Sequence, residues 1–167
     1  MIGRGCYQIQ RPVLRAAMLA KRPSCIPANR PRAKAKKAGL AYEAAVAKAI
    51  PSAIRGQWFE FTDATGHHGY CQTDLLIPGG VAHERPVVIE CKATWTLDGH
   101  KQLELLYSPV IEAVCGIIPL GILVTRRVTA ETAALAPVIV YSLREALTQA
   151  SMSRRVVLLW LGKSALV

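Results

Sequence analysis

The chain has 167 residues, of which 51% are hydrophobic and 19% are charged, and this suits one globular domain with a core of its own. No uninterrupted apolar run approaches the roughly 20 residues of a membrane-spanning helix, so the sequence predicts a soluble protein that does not use a membrane. Five cysteines without a CxxC pair leave one over, which favours reduced thiols in a cytoplasmic setting and argues against a zinc site.

The formal net charge of +10 is confined to the beginning of the chain. Residues 1–42 contain ten Lys or Arg and no Asp or Glu, whereas residues 43–167 contain eleven residues of each sign. Four prolines between positions 12 and 31 also disfavour a packed fold in this stretch. The composition therefore predicts a flexible basic arm over residues 1–37 that binds nucleic acid, followed by a folded domain over residues 38–167.

The arm ends in lysines suited to phosphate contacts, at Lys34, Lys36 and Lys37. Two other interpretations of the arm stay open. An arginine-rich, acid-free N-terminus is also typical of an organellar transit peptide, although this one is poor in serine. It could equally be upstream sequence included by an early start codon. Either alternative leaves the interpretation of the remaining chain unchanged.

Beyond the arm, helical and extended patterns alternate along the chain. Apolar residues recur at helical spacing over residues 33–50, and Pro51 ends that helix. Strands that alternate with helices, some of them continuously apolar, predict an α/β fold with a mixed central sheet flanked by helices. The predicted strands are 57–63, 70–77, 87–92, 116–125 and 156–161, and the later predicted helices are 101–114 and 143–150.

Two of these strands carry acidic residues where a buried strand should have none. Asp74 directly precedes the apolar run Leu-Leu-Ile, and Glu90 and Lys92 lie in the apolar strand 87–92. Because side chains alternate between the two faces of a strand, Glu90 and Lys92 share one face, and the apolar residues beside them point to the other. An apolar face can pack under a helix, so the charged pair is predicted to face a cleft, with Asp74 on a neighbouring strand.

Paired carboxylates and a lysine in this arrangement are suited to metal-assisted cleavage of phosphodiesters. Two close carboxylates repel each other, and a hard divalent cation relieves the repulsion while coordinating phosphate and water oxygens. Lys92 would orient the attacking water or stabilise the transition-state charge. The alternative interpretation is that Asp74 caps a strand end and that Glu90 and Lys92 form an ion pair on a half-exposed sheet.

The D...ExK order of these three residues resembles the PD-(D/E)XK nuclease superfamily, which includes restriction enzymes, junction resolvases, RecB-like nucleases and phage nucleases. The resemblance runs from about Gly39 to Val124. Glu43 fits the glutamate on the first helix of that family, and Gln102 fits the glutamine that follows the lysine in RecB-like members. Tyr107 lies one residue beyond the usual QxxxY spacing and is not carried over, and Thr73 replaces the proline of the family name.

The resemblance implies a restriction-endonuclease-like αβββαβ core and hydrolysis of DNA phosphodiester bonds with Mg²⁺ or Mn²⁺, in recombination, repair or replication. In this role Lys92 would position the attacking water and Gln102 would steady the lysine or the substrate. The implied catalytic residues are Glu43, Asp74, Glu90, Lys92 and Gln102, and the implied metal ligands are Asp74, Glu90, the backbone carbonyl of Cys91 and, through water, Glu43.

The partners follow from the same resemblance. DNA is the expected substrate, in branched, duplex or single-stranded form, and Arg126 and Arg127 after strand 116–125 are expected to hold its backbone, unless they are a solvated edge. One domain of this size has one active site, whereas a DNA duplex has two strands. This favours a homodimer or a partner protein. The expected location is the cytoplasm of a bacterial or phage-infected host cell. Two alternatives stay open: a non-catalytic nucleic-acid-binding protein with a degenerate nuclease fold, and an RNA nuclease.

Overall fold

The computed structural model describes residues 9, 12–27, 34–80, 84–129, 138–153 and 155–159, and within them the chain forms a mixed α/β fold with two sheets. The α/β class predicted from the sequence is therefore confirmed. The strands are β1 Val13–Leu19, β2 Ile54–Arg55, β3 Trp58–Asp63, β4 His68–Gln72, β5 Leu75–Ile77, β6 Val87–Thr94, β7 Leu120–Arg127, β8 Ile139–Val140 and β9 Arg155–Leu159, and the helices are α1 Lys34–Ala49, α2 Leu97–Gln102, a π-helical segment Leu103–Tyr107, α3 Ser108–Cys115 and α4 Leu143–Ser153.

The larger sheet has the strand order β2-β5-β6-β7-β9-β8. Strand β5 pairs antiparallel with β6, whereas the pairs β6–β7, β7–β9 and β9–β8 are parallel, so the sheet is mixed, as predicted. Strands β6 and β7 lie at its centre, and their first residues, 87–89 and 120–124, are uncharged and buried because both faces of the sheet are covered there. The sheet therefore aligns Glu90 and Lys92 of β6 with Leu123 and Thr125 of β7.

The two faces of the larger sheet bury separate clusters of apolar side chains. Val87 and Ile89 belong to a cluster that includes Tyr42 of α1 and residues of α4. Val88, on the opposite face, packs in a second cluster with the π-helical segment, α3 and the smaller sheet. The alternation predicted from the sequence is thus present in β6, and it places Glu90 on the face of the second cluster.

The smaller sheet has the order β1-β3-β4, and its hairpin continues into β2 and β5 of the larger sheet. Two backbone hydrogen bonds cover the transition, from Gly56 N to Asp74 O at 2.9 Å and from Thr73 N to Gln57 O at 3.0 Å. Gly56 has a φ of 68°, a left-handed conformation that glycine adopts without steric cost. The predicted strand 70–77 is therefore interrupted between β4 and β5, and Asp74 lies at the bend.

Part of the predicted flexible arm belongs to the fold, which corrects that prediction. Strand β1 pairs antiparallel with β3, with Ala16 opposite Phe61. The predicted boundary at residues 37 and 38 also falls inside α1, which begins at Lys34. The sequence pattern did not predict β1, because the composition around it is basic and rich in proline. Its pairing with β3 is a long-range contact that leaves no local pattern. The rest of the predicted arm, residues 1–8, 10–11 and 28–33, lies outside the described residues.

The helical region after β6 begins four residues earlier than predicted. Its first turn is capped by Thr96, whose side-chain oxygen accepts a hydrogen bond from Gly99 N at 3.4 Å. Its last helix, α3, ends at Gly116, which has a φ of 70° and is left-handed. Strand β7 consequently starts at Leu120 rather than at residue 116. Among the helices that the structure describes, none is both long and apolar enough to cross a membrane.

Two glycines give a matched test of the packing. A Cβ at Gly69 would lie 2.6 Å from the ring carbon Cζ of Phe61, whereas a Cβ at Gly39 in α1 meets nothing within 4 Å. Gly69→Ala should lower the free energy of unfolding by about 1–3 kcal/mol, because the Phe61 ring must leave its position. Gly39→Ala should raise it by roughly 0.5–1 kcal/mol through helix propensity. Urea denaturation of both variants measures the difference, and two changes of the same sign would contradict the described packing.

Candidate functional site

The carboxylate of Asp74 is tied directly to the strand that carries Glu90. Oδ2 of Asp74 accepts a hydrogen bond from the backbone N–H of Cys91 at 2.7 Å. The chain bends at Asp74 between β4 and β5, and this bend directs the Asp74 carboxylate toward the backbone of β6. The Asp74 carboxylate raises the pKa of Glu90, whereas a side-chain hydrogen bond with Glu90 lowers the pKa of Asp74. The two carboxylates predicted to meet are therefore neighbours.

Glu90 is almost completely buried, with 1% of its surface exposed. Its Oε1 forms an ion pair with Nζ of Lys92, two residues along the same face of β6. Its Oε2 is buried and has no hydrogen-bond partner among the described residues. The hydroxyl of Tyr107 interacts with Glu90 and lowers its pKa, and it donates to the carbonyl of Gln72 at 2.8 Å. One buried oxygen of Glu90 is thus left unsatisfied, which is costly unless another group binds it.

Burial controls the protonation of both carboxylates. Loss of solvation and, second, the nearby Asp74 carboxylate raise the pKa of Glu90 to about 8, against the opposing effect of Lys92. The pKa of Asp74 is also raised, mainly by burial, against the hydrogen bond from Cys91. Both carboxylates therefore hold protons more tightly than usual. A cation bound beside them would stabilise their ionised forms.

Lys92 continues into a chain of side-chain hydrogen bonds. Its Nζ donates to Oε1 of Gln102 at 3.3 Å, and Nε2 of Gln102 donates to the hydroxyl of Tyr107. The hydroxyl in turn donates to the carbonyl of Gln72 at the end of β4. The chain joins β6, the helical region and the bend that carries Asp74. The lysine is thereby held between Glu90 and Gln102.

Tyr107 is the member of this chain that sequence reasoning rejected. Gln102 and Tyr107 are five residues apart, which in an α-helix places two side chains on different faces. The segment Leu103–Tyr107 is π-helical, and one π turn holds about one residue more than an α turn. The wider π turn accommodates the one residue by which the spacing exceeds QxxxY. The hydroxyl of Tyr107 therefore lies within hydrogen-bonding distance of Gln102. No signal in the sequence marks the π turn, although the near match to QxxxY was a usable indication.

The start of α2 is locked to the end of β6 by two buried aromatic residues. The indole Nε1–H of Trp95 donates to Nε2 of His100 at 2.8 Å, and their ring centroids lie 5.3 Å apart. Both side chains are buried, at 1% and 5% exposure. This contact directs the helix that carries Gln102 back toward Lys92. Trp95 and His100 therefore position the site without lining it.

Glu43 lies on the opposite side of the site, on α1. Its Oε1 accepts a hydrogen bond from Nε of Arg55 at 2.7 Å, in an ion pair that sequence reasoning missed. Glu43 and Asp74 both line a cleft of about 370 Å³, and Glu43 contributes to the raised pKa of Asp74. The cleft is completed by Leu40, Arg55, Gly56, Gln72 and Thr73.

The donor set at this site fits a divalent cation. The unsatisfied Oε2 of Glu90 and the mutual repulsion of Glu90 and Asp74 are both relieved by such a charge. In the described part of the chain, no group of three or more His, Cys, Asp or Glu side chains is arranged to hold a metal. Two carboxylates completed by carbonyl, water and phosphate oxygens are nevertheless a pattern that Mg²⁺ uses.

The predicted phosphate-binding residues are spread over two elements. Lys37 is exposed on α1, and the side chains of Lys34 and Lys36 lie outside the described residues. Arg126 and Arg127 are exposed at the end of β7, and the guanidinium of Arg126 lies over the ring of Tyr42, 4.6 Å from its centroid. Tyr42 precedes Glu43 on α1, so this contact places the end of β7 against the helix that bears Glu43.

No family model, no curated protein and no solved structure matches this chain.

The burial of Glu90 predicts a specific pH dependence of stability. Its pKa is about 8 in the folded protein and near 4.5 in the unfolded chain, so between these values the folded state binds more protons. The free energy of unfolding should therefore fall as pH rises from about 5 to about 8, by at most about 1.4 kcal/mol per pH unit for this one group. Urea denaturation across this range, without divalent cations, measures the slope.

Glu90→Gln is the control for this pH dependence. The amide keeps the shape of the carboxyl group and cannot ionise, so the slope should become shallower and the variant should be more stable than the parent protein at pH 8. Some slope should remain, because the pKa of Asp74 is also raised. An unchanged slope in Glu90→Gln would show that other groups cause the effect.

Proposed function

We propose that this protein is a metal-dependent nuclease of the PD-(D/E)XK type that hydrolyses DNA phosphodiester bonds with Mg²⁺ or Mn²⁺. The observation that carries the proposal is the hydrogen bond between Asp74 and the backbone of Cys91, which brings the carboxylates of two strands together. Lys92, on the face of Glu90, supplies the positive group of the D...ExK arrangement.

The order of the elements supports the proposal. Helix α1 precedes a bent hairpin, then come β6, the helical region with Gln102, and β7 parallel to β6. This is the order that the αβββαβ core of the superfamily requires. The chain departs from the family pattern in having Thr73 before the aspartate and a π-helical segment after Gln102. Both departures lie outside the acidic residues and the lysine of the D...ExK arrangement.

Each residue of the site has a separate role in the proposed reaction. When bound, a divalent cation supplies charge neutralisation at the scissile phosphate and lowers the pKa of water. Asp74 and Glu90 would hold it, together with the carbonyl of Cys91, and Glu43 would reach it through water. The Oε2 atom of Glu90 is a carboxylate oxygen not engaged by a described residue. Ionised Glu90 is required, so the pair of Lys92 with Glu90 favours the active protonation state.

Lys92 is held where it can act on the reacting water or phosphate. Its ammonium group donates to Glu90 and to Gln102, and this fixes the long side chain at the mouth of a buried site. A fixed cation stabilises negative charge that develops on the phosphate oxygens. Gln102 and Tyr107 touch the lysine or its partner rather than the substrate, so they are positioning residues.

DNA is supported as the substrate by charge and by the exposed arginines. The chain carries a net charge of +10, and phosphate contacts would come from Lys34, Lys36, Lys37, Arg126 and Arg127. The contact of Arg126 with Tyr42 places one of these cations against α1, the helix that bears Glu43.

Replacing Asp74 or Lys92 by Ala should reduce cleavage at least about 100-fold, because each removes charge from the reacting centre. The substrates are supercoiled plasmid, linear duplex, single strands, a four-way junction and RNA, each with Mg²⁺, Mn²⁺ or EDTA. Asp98→Ala is the matched control, since Asp98 is an exposed carboxylate on α2. It should cut as well as the parent protein.

Retained cleavage by both Asp74→Ala and Lys92→Ala would end the proposal. Salt-sensitive DNA binding without cutting by the parent protein, with every metal and substrate, would instead identify a non-catalytic nucleic-acid-binding protein. Cleavage restricted to RNA would keep the site and change the substrate. Circular dichroism of each variant separates lost chemistry from lost fold.

Tyr107→Phe tests the positioning chain. The variant keeps the ring but removes the hydroxyl that accepts from Gln102 and donates to Gln72. We expect kcat to fall about 10-fold with KM little changed, because the lysine loses its support and the substrate loses no contact. Tyr141→Phe, at an exposed tyrosine outside the site, is the control. A rise in KM with unchanged kcat would place Tyr107 in substrate binding instead.

A further inference from the structure

The smaller sheet has one buried face and one face that the loop after β1 covers in part, with Arg22 over the ring of Trp58 and Cys25 beside Tyr70. Phe59 and Phe61 of β3 point into the second apolar cluster, with Gly69 packed against Phe61. The alternate residues of the sheet therefore point outward. The cross-strand pairs assign the outer rows as Leu19, Trp58 and Gln72, then Ala17, Glu60 and Tyr70, then Arg15, Thr62 and His68.

This outer face, defined by those three rows, is unusually rich in aromatic rings. Trp58 and Tyr70 are half-buried and His68 is exposed, on the same side of adjacent strands. The rings of His68 and Tyr70 meet edge to face, with centroids 4.9 Å apart. The guanidinium of Arg22, in the loop after β1, lies 6.0 Å from the centroid of Trp58. Two flat side chains thus lie in adjacent rows with a cation beside one of them.

The charge on and around the face is mainly positive. Arg15 is exposed on the face itself, and Lys21 and Arg22 follow β1 at its edge. Glu60 is the acidic residue among the outer rows. A groove of about 290 Å³ crosses the sheet beside Arg15, Glu60 and His68. Aromatic rings interleaved with cations complement a polymer that has flat bases and a phosphate backbone.

The face is continuous with the candidate active site. Gln72 ends one outer row and also lines the cleft that contains Asp74. Tyr70 and Asp74 are four residues apart, with the bend after β4 between them, so strand rise limits their separation to about 13 Å. A strand of nucleic acid lying on the face would therefore lead into the cleft.

We propose that the outer face of the smaller sheet binds single-stranded nucleic acid by stacking unpaired bases on Tyr70 and Trp58, and feeds it to the cleft. The inference deepens the proposed function and rests on it for the direction toward a cleaving site. Unpaired bases are required because the bases of a duplex are already stacked on each other, out of reach of a sheet surface. Arg15 and Arg22 neutralise the backbone, and Glu60 faces base edges that carry amino groups.

The test is the binding of a fluorescein-labelled 12-nucleotide single strand, followed by anisotropy in EDTA so that no cleavage occurs. Tyr70→Leu should weaken binding about 10-fold, because one base loses its stacking partner. Tyr70→Phe keeps the ring and should bind like the parent protein. Glu60→Gln should strengthen binding, whereas Arg15→Ala should weaken it and reduce its salt dependence. The same assay with a blunt duplex should show no response to Tyr70→Leu.

Matched substitutions away from the face separate stacking from general charge. Tyr141→Leu and Arg144→Ala lie on exposed residues near α4 and should leave single-strand binding unchanged. Equal losses in Tyr70→Leu and Tyr141→Leu, or equal effects on single strand and duplex, would overturn the inference. So would a dimer that Tyr70→Leu dissociates without any change in oligonucleotide binding, because the face would then be an interface between two copies.

The outcomes for the face and for the proposed nuclease are distinguishable. Loss of cleavage in Lys92→Ala with no effect of Tyr70→Leu on binding would sustain the nuclease and overturn the single-strand face. A face that binds single strands, in a protein that never cuts with any metal, would sustain the binding site and overturn the nuclease.

Discussion

The hydrogen bond from the backbone of Cys91 to the carboxylate of Asp74 is the contact on which the site depends. It requires the hairpin to bend between β4 and β5, and the bend requires Gly56 in a left-handed conformation on the facing strand. The same bend passes the chain from the smaller sheet to the larger one. One local distortion therefore brings the carboxylates together and joins the two sheets at the cleft.

The electrostatics of the site lower the stability of the folded protein. Glu90 is buried next to another carboxylate, and one of its oxygens has no partner among the described residues. The ion pair with Lys92 offsets part of the cost, because a buried charge is tolerated only when it is paired. An apolar residue at position 90 would suit the core better. Such an arrangement is typical of a site kept for chemistry rather than for stability.

The surroundings of the site hold its few polar groups in place. The contact between Trp95 and His100 directs α2, the π turn brings Tyr107 to Gln102, and Tyr107 returns to the β4 carbonyl of Gln72. Each link joins a different element, so the lysine is fixed by tertiary structure on several sides. Strand β1 of the smaller sheet comes from the basic, proline-rich N-terminal segment. Its pairing with β3 makes residues 13–19 part of the folded domain.

The sequence by itself determined the α/β class, the position of α1 and the shared face of Glu90 and Lys92, because the helical and strand periods are local properties of the chain. It also indicated that Asp74 would neighbour Glu90. Only the tertiary structure decided that β1 pairs with β3, that Arg55 pairs with Glu43 and that Tyr107 accepts a hydrogen bond from Gln102. Pairing between distant strands, ion pairs across elements and a single π turn leave no periodic signal, since each depends on which residues the folded chain brings together.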